Sequence, residues 1–356
     1  MSDFATDFAA ARQTFAEFLA KIPHDARITA MHDSDADGVT SGVLWQRGLE
    51  RLEYSRLARV IPNRQRNAWT PENRALAQAA NPEYFFLMDL GSQPHRVVEN
   101  APHCFIDHHR PEGFPDGDIL ISAYNWNPIP NTSWLLWELL RPLVNIEDLD
   151  WVAVVGTISD LGEKAPFDLI QSAKKKYTAK YLKEATTLVN AIRRSSHYNP
   201  EAGAQALLNH ESPKDLVLSE SAEVAELKAA REEVKLALNE AKKAAPVFSS
   251  THPVALIRLS TPCQIHPLIA QIWRTRLPKY IVIAANDQYL PGRINFSARA
   301  SGDTNVLEFL RSFEIADGEG DFGHGHDQAS GGSLPSSRWN ELLQMMGFSS
   351  EVFAKN

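Results

Sequence analysis

Three apolar stretches, Arg27 to Met31, Tyr84 to Met88 and Cys104 to Ile106, each run directly into acidic residues. The first meets His32-Asp33-Ser34-Asp35-Ala36-Asp37-Gly38, the second Asp89, and the third Asp107-His108-His109. Helical stretches lie between them. Short unbroken apolar runs alternating with helices predict strands buried on both faces of a mostly parallel sheet, an α/β architecture. Ligands of such sheets bind beyond the carboxyl ends of the strands. The acidic residues fall at those ends, so the pattern that limits the fold also marks a candidate site.

The 356 residues are enough for about two domains. Phe4, Phe8, Ala11, Phe15, Phe18, Leu19 and Ile22 recur at helical spacing until Pro23. A second helix is expected from Thr40, carrying Val43, Leu44 and Trp45. The first domain is expected over 1–195. A helical connector over 196–245 is punctuated by Pro200 and Pro213, then built on Val224, Leu227, Val234, Leu238 and Ala241. A smaller α/β domain with a mixed sheet is expected over 246–356, with strands at Val254 to Leu259, Tyr280 to Ala284 and Arg293 to Ala298. A glycine- and histidine-rich loop is expected from Gly323 to Gly332.

Charge narrows the partners. With 36 Lys and Arg against 44 Asp and Glu, the net charge is 36 − 44 = −8, which argues against a large basic surface for long nucleic acid. No apolar run reaches the roughly 18 residues of a membrane span, and no signal peptide is read at the N-terminus. Cys104 and Cys263 make no disulfide framework, so a reducing, cytoplasmic setting is expected.

Asp33, Asp35 and Asp37 place three carboxylates within five residues, where they repel unless a cation sits among them. Alternate residues of an extended turn point the same way, so Asp35 and Asp37 can share one metal or serve two. An acidic surface loop with an N-cap aspartate is the bland alternative. A calcium EF-hand is not, since no glutamate occupies its downstream position. After an apolar strand, His108 and His109 point to opposite sides, so one can ligate metal while the other faces substrate. Asp107 can hold an imidazole and fix its tautomer. Asp160 closes Thr157-Ile158-Ser159-Asp160 behind the apolar Trp151 to Val155. Oxygen and imidazole donors suit manganese or magnesium better than zinc. Asn63-Arg64-Gln65-Arg66 follows another strand end. Thr132-Ser133 could place amides near a phosphate, and Trp126 could stack a base, although a core role fits it better.

The ordered set Asp-x-Asp-x-Asp-Gly, lone Asp, Asp-His-His, lone Asp resembles the DHH phosphoesterase superfamily. The resemblance continues through Phe296 to Ser301 and Gly325 to Gly332, which are similar to the family's associated C-terminal domain. His324 departs from it, standing where the family has the first glycine of Gly-Gly-His. The resemblance implies a DHH catalytic domain followed by a substrate-binding domain, with the active site between them. It implies Asp35, Asp37, Asp89, His108 and Asp160 as ligands of two divalent cations, manganese before magnesium, with Asp89 as the bridge. Asp33 is a further metal candidate, with His32 its alternative. His109 would contact the scissile phosphate or leaving group. Arg299 and His326, with backbone amides of a Gly331-Gly332 turn, would hold a nucleotide phosphate.

The expected activity is two-metal hydrolysis of phosphodiester or phosphomonoester bonds in short oligonucleotides or small nucleotides, with a homodimer as the candidate assembly. The missing basic track sets a RecJ-type single-stranded DNA exonuclease second. A pyrophosphatase or exopolyphosphatase and a non-catalytic nucleotide-binding regulator are the remaining alternatives.

Overall fold

Each predicted buried run becomes a strand of one all-parallel sheet. The computed structural model describes residues 3–315 and 322–354, without the side chains of 324–326. Strands β1 (Arg27–His32), β2 (Arg56–Val60), β3 (Tyr84–Met88), β4 (His103–Asp107) and β5 (Ile119–Ser122) lie in the order β2-β1-β3-β4-β5. All four neighbouring pairs are parallel. The helices of this region are α1 (Phe4–Leu19), α2 (Ala36–Arg51), α3 (Pro71–Ala79), α4 (Thr132–Leu140), α5 (Asp150–Leu161), α6 (Asp168–Tyr177), α7 (Ala179–Arg194), α8 (Pro200–Asn209) and α9 (Pro213–Leu218). One face of the sheet buries Met31, Phe85, Leu87 and Phe105 with Ala68, Ala77 and Val97. On the other, Trp45 of α2 packs against Phe86, ring centroids 5.7 Å apart.

The chain divides into two compact units, 1–193 with 198–229, and 194–197 with 230–356. The segment read as a connector is therefore shared between them, and the boundary falls inside α10 (Ala222–Ala241). The second unit holds a mixed sheet of β6 (Val247–Phe248), β7 (Val254–Leu259), β8 (Ile281–Asn286), β9 (Arg293–Arg299), β10 (Phe322–His326) and β11 (Ala329–Pro335). Only β7 and β8 pair in parallel; the other neighbours are antiparallel. Its helices after α10 are α11 (His266–Arg276), α12 (Val306–Arg311) and α13 (Ser336–Met345). Val254, Ile283, Phe296, Leu334, Trp339 and Leu343 build its core on one face of that sheet.

Two expectations change. Helix α2 begins at Ala36, not Thr40, because the Asp35 carboxylate accepts from the amides of Asp37 (3.0 Å) and Gly38 (3.2 Å) and caps the helix there. The stretch from Gly323 to Gly332 is a β10–β11 hairpin rather than a loop, with Asp327 and Gln328 at its turn.

A buried histidine gives the first unit a distinct acid response. His103 is fully buried at the start of β4. Its Nδ1–H donates to the Ala101 carbonyl at 2.7 Å, and its Nε2 accepts from the Val97 and Val98 amides at 3.2 and 3.4 Å. Both ring nitrogens are thus used as a neutral imidazole uses them. Burial lowers its pKa from 6.5 to about 4. A depressed histidine pKa favours the fold fully above 6.5 and less as pH falls toward 4. Between pH 7 and 5 this group should cost about 2 kcal/mol of stability. In urea titrations His103→Gln is expected to be less stable than wild type at pH 7, with a flatter loss of stability down to pH 5. Parallel profiles for the two proteins would contradict this assignment.

Candidate metal centre

Backbone hydrogen bonds carry the sheet's register past its strand ends. The Asp33 amide donates to the Met88 carbonyl and the Asp89 amide to the Ile106 carbonyl, both at 3.2 Å. The acidic loops after β1, β3 and β4 are therefore laid side by side. Asp89 sits there with φ +61°, a left-handed conformation that aspartate and asparagine tolerate better than most residues.

Asp37 is fixed from the opposite side. Its carboxylate accepts from the Asn131 side-chain amide (2.6 Å) and from the backbone amides of Ser133 (2.7 Å) and Thr132 (3.0 Å) at the start of α4. A carboxylate facing a helix N-terminus is favoured by the free amides and the dipole. These amides are thus taken by Asp37, not by the phosphate expected for them. Thr132 Oγ1 also donates to Asp89 at 3.2 Å. Ser133 Oγ donates to the Ala153 carbonyl at 3.1 Å, tying α4 to α5, whose penultimate residue is Asp160.

The two histidines differ in exposure and partners. His108 is 5% exposed, and its Nε2 lies 3.4 Å from Asp89, 3.7 Å from Asp160 and 3.8 Å from Asp37. His109 is 39% exposed, with its Nδ1 2.7 Å from Asp107. Asp107 Oδ1 also accepts from the His108 and His109 amides, and Oδ2 from Gly91. Asp107 is therefore the residue that orients the loop and fixes a proton on His109 Nδ1. Burial alone would raise the Asp107 carboxyl, but the charge and hydrogen bond of His109 outweigh it and hold it well below the ordinary range. Desolvation opposes a charged His109, yet Asp107, with Asp160 and Asp33, raises its pKa above the ordinary value.

Donor atoms gather into overlapping groups. Asp37, His108 and Asp160 form one, Asp33, Asp35 and Asp89 another, and Asp89 also groups with Asp107, His108 and His109. Within each group the donor atoms lie within 4.8 Å of one another. Asp89 thus belongs to more than one group, the position of a bridging carboxylate. Burial, followed by the charges of Asp160 and Asp35, raises the Asp37 carboxyl; burial and Asp37 raise Asp89; burial and Asp35 raise Asp160. Buried carboxylates that repel one another and share an imidazole fit a divalent cation, which would offset the repulsion.

His32 joins none of these groups. Its Nδ1–H donates to the Asp33 carbonyl at 2.8 Å and its ring packs against Gly42. Between the two alternatives, the structure brings Asp33 to the carboxylates. Sequence reasoning misses Asn131 and Arg193. The first carries an ordinary N-cap signal. The second, on α7, reaches Asp35 at 3.5 Å with nothing local to mark it. Arg66 reaches both Asp33 and Asp35. Trp126 is core: its ring lies 5.5 Å from Phe4 and 6.1 Å from Phe8, centroid to centroid.

In the second unit, Arg299 ends β9 opposite Ala329 of β11. Gly331 and Gly332 form no turn. They lie within β11, paired to Ser297 and Phe296 on one side and to His324 and Phe322 on the other. A β-carbon at Gly331 would stand 2.4 Å from the Phe296 carbonyl oxygen, so close strand approach, not a turn, requires glycine there. The His326 side chain lies outside the described residues.

Residues 27–155 match the family model described as the DHH family, N-terminal domain. A comparison with curated protein sequences gave no match. Among solved structures, the chain is similar to an exonuclease RecJ bound to manganese, with TM-score 0.61 and 18% identity over 97% of this chain and 95% of that one. It is similar to RecJ of Thermus thermophilus in complex with Mn2+, with TM-score 0.62 and 18% identity, covering 94% of this chain and 54% of that one. The DHH domain of a member of a family of ribosomal proteins gives TM-score 0.65 at 13% identity, over 96% of this chain and 90% of that one. These likenesses show a shared fold. No helix among the described residues is long and apolar enough to cross a membrane. The likeness to the DHH family is carried by residues 27–155, and beyond them the solved structures show a shared fold alone.

Proposed function

We propose that this protein is a divalent-metal-dependent phosphoesterase that hydrolyses phosphodiester or phosphomonoester bonds of short oligonucleotides or small nucleotides. The observation that carries the reading is the convergence of three carboxylates on one buried imidazole: His108 Nε2 lies within 3.8 Å of Asp89, Asp160 and Asp37. Asp89 then continues into the neighbouring Asp33–Asp35 group. Asp35, Asp37, Asp89, His108 and Asp160, with Asp33 beside them, would hold two cations, Mn2+ in first place and Mg2+ in second. Bound there, the cations would supply Lewis-acid polarisation of a phosphoryl oxygen and a water of lowered pKa.

The protein's own groups do the rest. Asn131 and the α4 amides keep Asp37 aimed inward. Asp107 accepts the His109 Nδ1–H and favours the charged ring, so that the Nε2–H of this more exposed side chain can donate toward a phosphate oxygen or a leaving group. Arg299 in the second unit is proposed as a phosphate contact, its guanidinium being suited to bidentate pairing. A cytoplasmic setting belongs to the same proposal, supported by two buried, unpaired cysteines. The RecJ-type exonuclease is the second reading, favoured by the chain-length likeness to a RecJ structure.

Manganese-dependent hydrolysis of 5′-labelled oligomers from about two to twenty-four nucleotides separates the two. The proposal predicts the highest kcat/KM on the shortest species. A steep preference for the longest supports the exonuclease, and no hydrolysis of any oligomer or nucleotide contradicts both.

A further inference from the structure

Carboxylates that form one end of the metal centre are already engaged by a cation of the protein's own. Arg66 Nε donates to Asp33 Oδ1 at 2.7 Å, and its Nη2 donates to Asp33 Oδ2, a fork that takes both oxygens. The same Nη2 reaches Asp35 Oδ2 at 3.3 Å. Asp33 and Asp35 are two of the three residues of the donor group completed by Asp89. The fork is thus aimed at this end of the centre. Arginine pairs with carboxylate in a planar, always-charged fork, so a divalent ion approaching these oxygens competes with it for their charge and lone pairs.

The position of Arg66 suits displacement. It follows β2 in the turn after Asn63, with φ +58°, a left-handed backbone uncommon outside glycine. Its side chain is 31% exposed, so the guanidinium can move into solvent without crossing the core. Arg193, the other arginine at Asp35, is 8% exposed on α7 and lacks that freedom. From this asymmetry we infer that Arg66 is a built-in competitor for the Asp33–Asp35 end of the centre. One cation, held by Asp37, His108, Asp160 and Asp89, binds without this exchange. The second must exchange with the Arg66 guanidinium and binds more weakly for that reason.

This inference rests on the two-cation reading proposed above. The test measures binding alone: Mn2+ titrated into the full-length protein, with free Mn2+ read by electron paramagnetic resonance. Wild type should bind two ions in separate steps. Arg66→Gln removes the charge and should tighten the weaker step at least tenfold, leaving the tighter one within about threefold. Arg66→Lys keeps the charge but loses the fork, and should fall between the two. If Arg66→Gln does not fold, Arg66→Lys carries the test alone through the same selective tightening. A weaker step that is unchanged or weakened in the folded variants overturns the inference and leaves the metal centre standing. Absence of Mn2+ binding to wild type overturns both.

Discussion

Asp89→Asn is expected to lower metal-dependent hydrolysis by roughly a thousandfold or more while the fold persists. Asp89 lies 3.4 Å from His108 Nε2 at one end of the centre and joins Asp33 and Asp35 at the other, so a neutral amide there weakens both ends at once. Loss of several kcal/mol of charge stabilisation at the phosphoryl group corresponds to about three powers of ten in rate. Asparagine is the right replacement because the residue sits at φ +61°, where alanine would add backbone strain. The fold should tolerate it for an electrostatic reason. Burial, and then the charges of Asp37 and Asp35, raises the Asp89 carboxyl far above its ordinary value. A raised carboxyl pKa means that wild type, with no metal added, loses stability as pH rises toward that value. The amide does not titrate, so the variant should be at least as stable as wild type at pH 8. Added Mn2+ should then raise the Tm of wild type, by the equivalent of about 2.7 kcal/mol at a hundred times Kd, and scarcely that of the variant. A variant that keeps wild-type kcat/KM would contradict the bridging role.

Gly38→Ala should destabilise the protein sharply, and Gly48→Ala, ten residues along the same helix, should not. A β-carbon at Gly38 would stand 2.4 Å from the Asp33 carbonyl oxygen and 2.6 Å from its carbon and Cα. These are backbone atoms of the loop bearing Asp33 and Asp35, and no rotamer change moves them aside. Overpacking of this kind costs about 1–3 kcal/mol, and fixed backbone places Gly38 at the upper end. The gain in helix propensity returns at most about 1 kcal/mol. At Gly48 the nearest atoms, at 2.7 and 2.9 Å, are the Leu140 methyls at the end of a side chain. There the propensity gain offsets a small shift, and the net change should lie within about 1 kcal/mol. Urea unfolding of both variants measures the contrast, and Mn2+ affinity should fall only in Gly38→Ala. Equal stability of the two would show that the loop gives way more easily than its backbone contacts imply.

How much of this is legible in the sequence differs by element. The strands before Asp33, Asp89 and Asp107 are readable because a strand buried on both faces needs an unbroken apolar run, and the following aspartate ends it. The convergence of Asp35, Asp37, Asp89, His108 and Asp160 follows from parallel strands ending at one edge, together with α5. The start of α2 escapes a reading of Asp35 as a metal ligand alone, because its carboxylate also caps the helix. The hairpin around His324 and Gly331 is hidden for a different reason. Glycines carry no side chain to show a two-residue alternation, and strand pairing there is made by backbone contact with β9. Arg66, Arg193 and Asn131 meet the aspartates only through tertiary structure, since each lies on a different element from its partner and far from it along the chain.

The most direct measurement of the central claim is anomalous diffraction from crystals of the full-length protein soaked in Mn2+. The account predicts one strong peak enclosed by Asp37, His108, Asp160 and Asp89, and a weaker one beside Asp33 and Asp35. Mn2+ bound only elsewhere on the chain, with no peak among these residues, would contradict it.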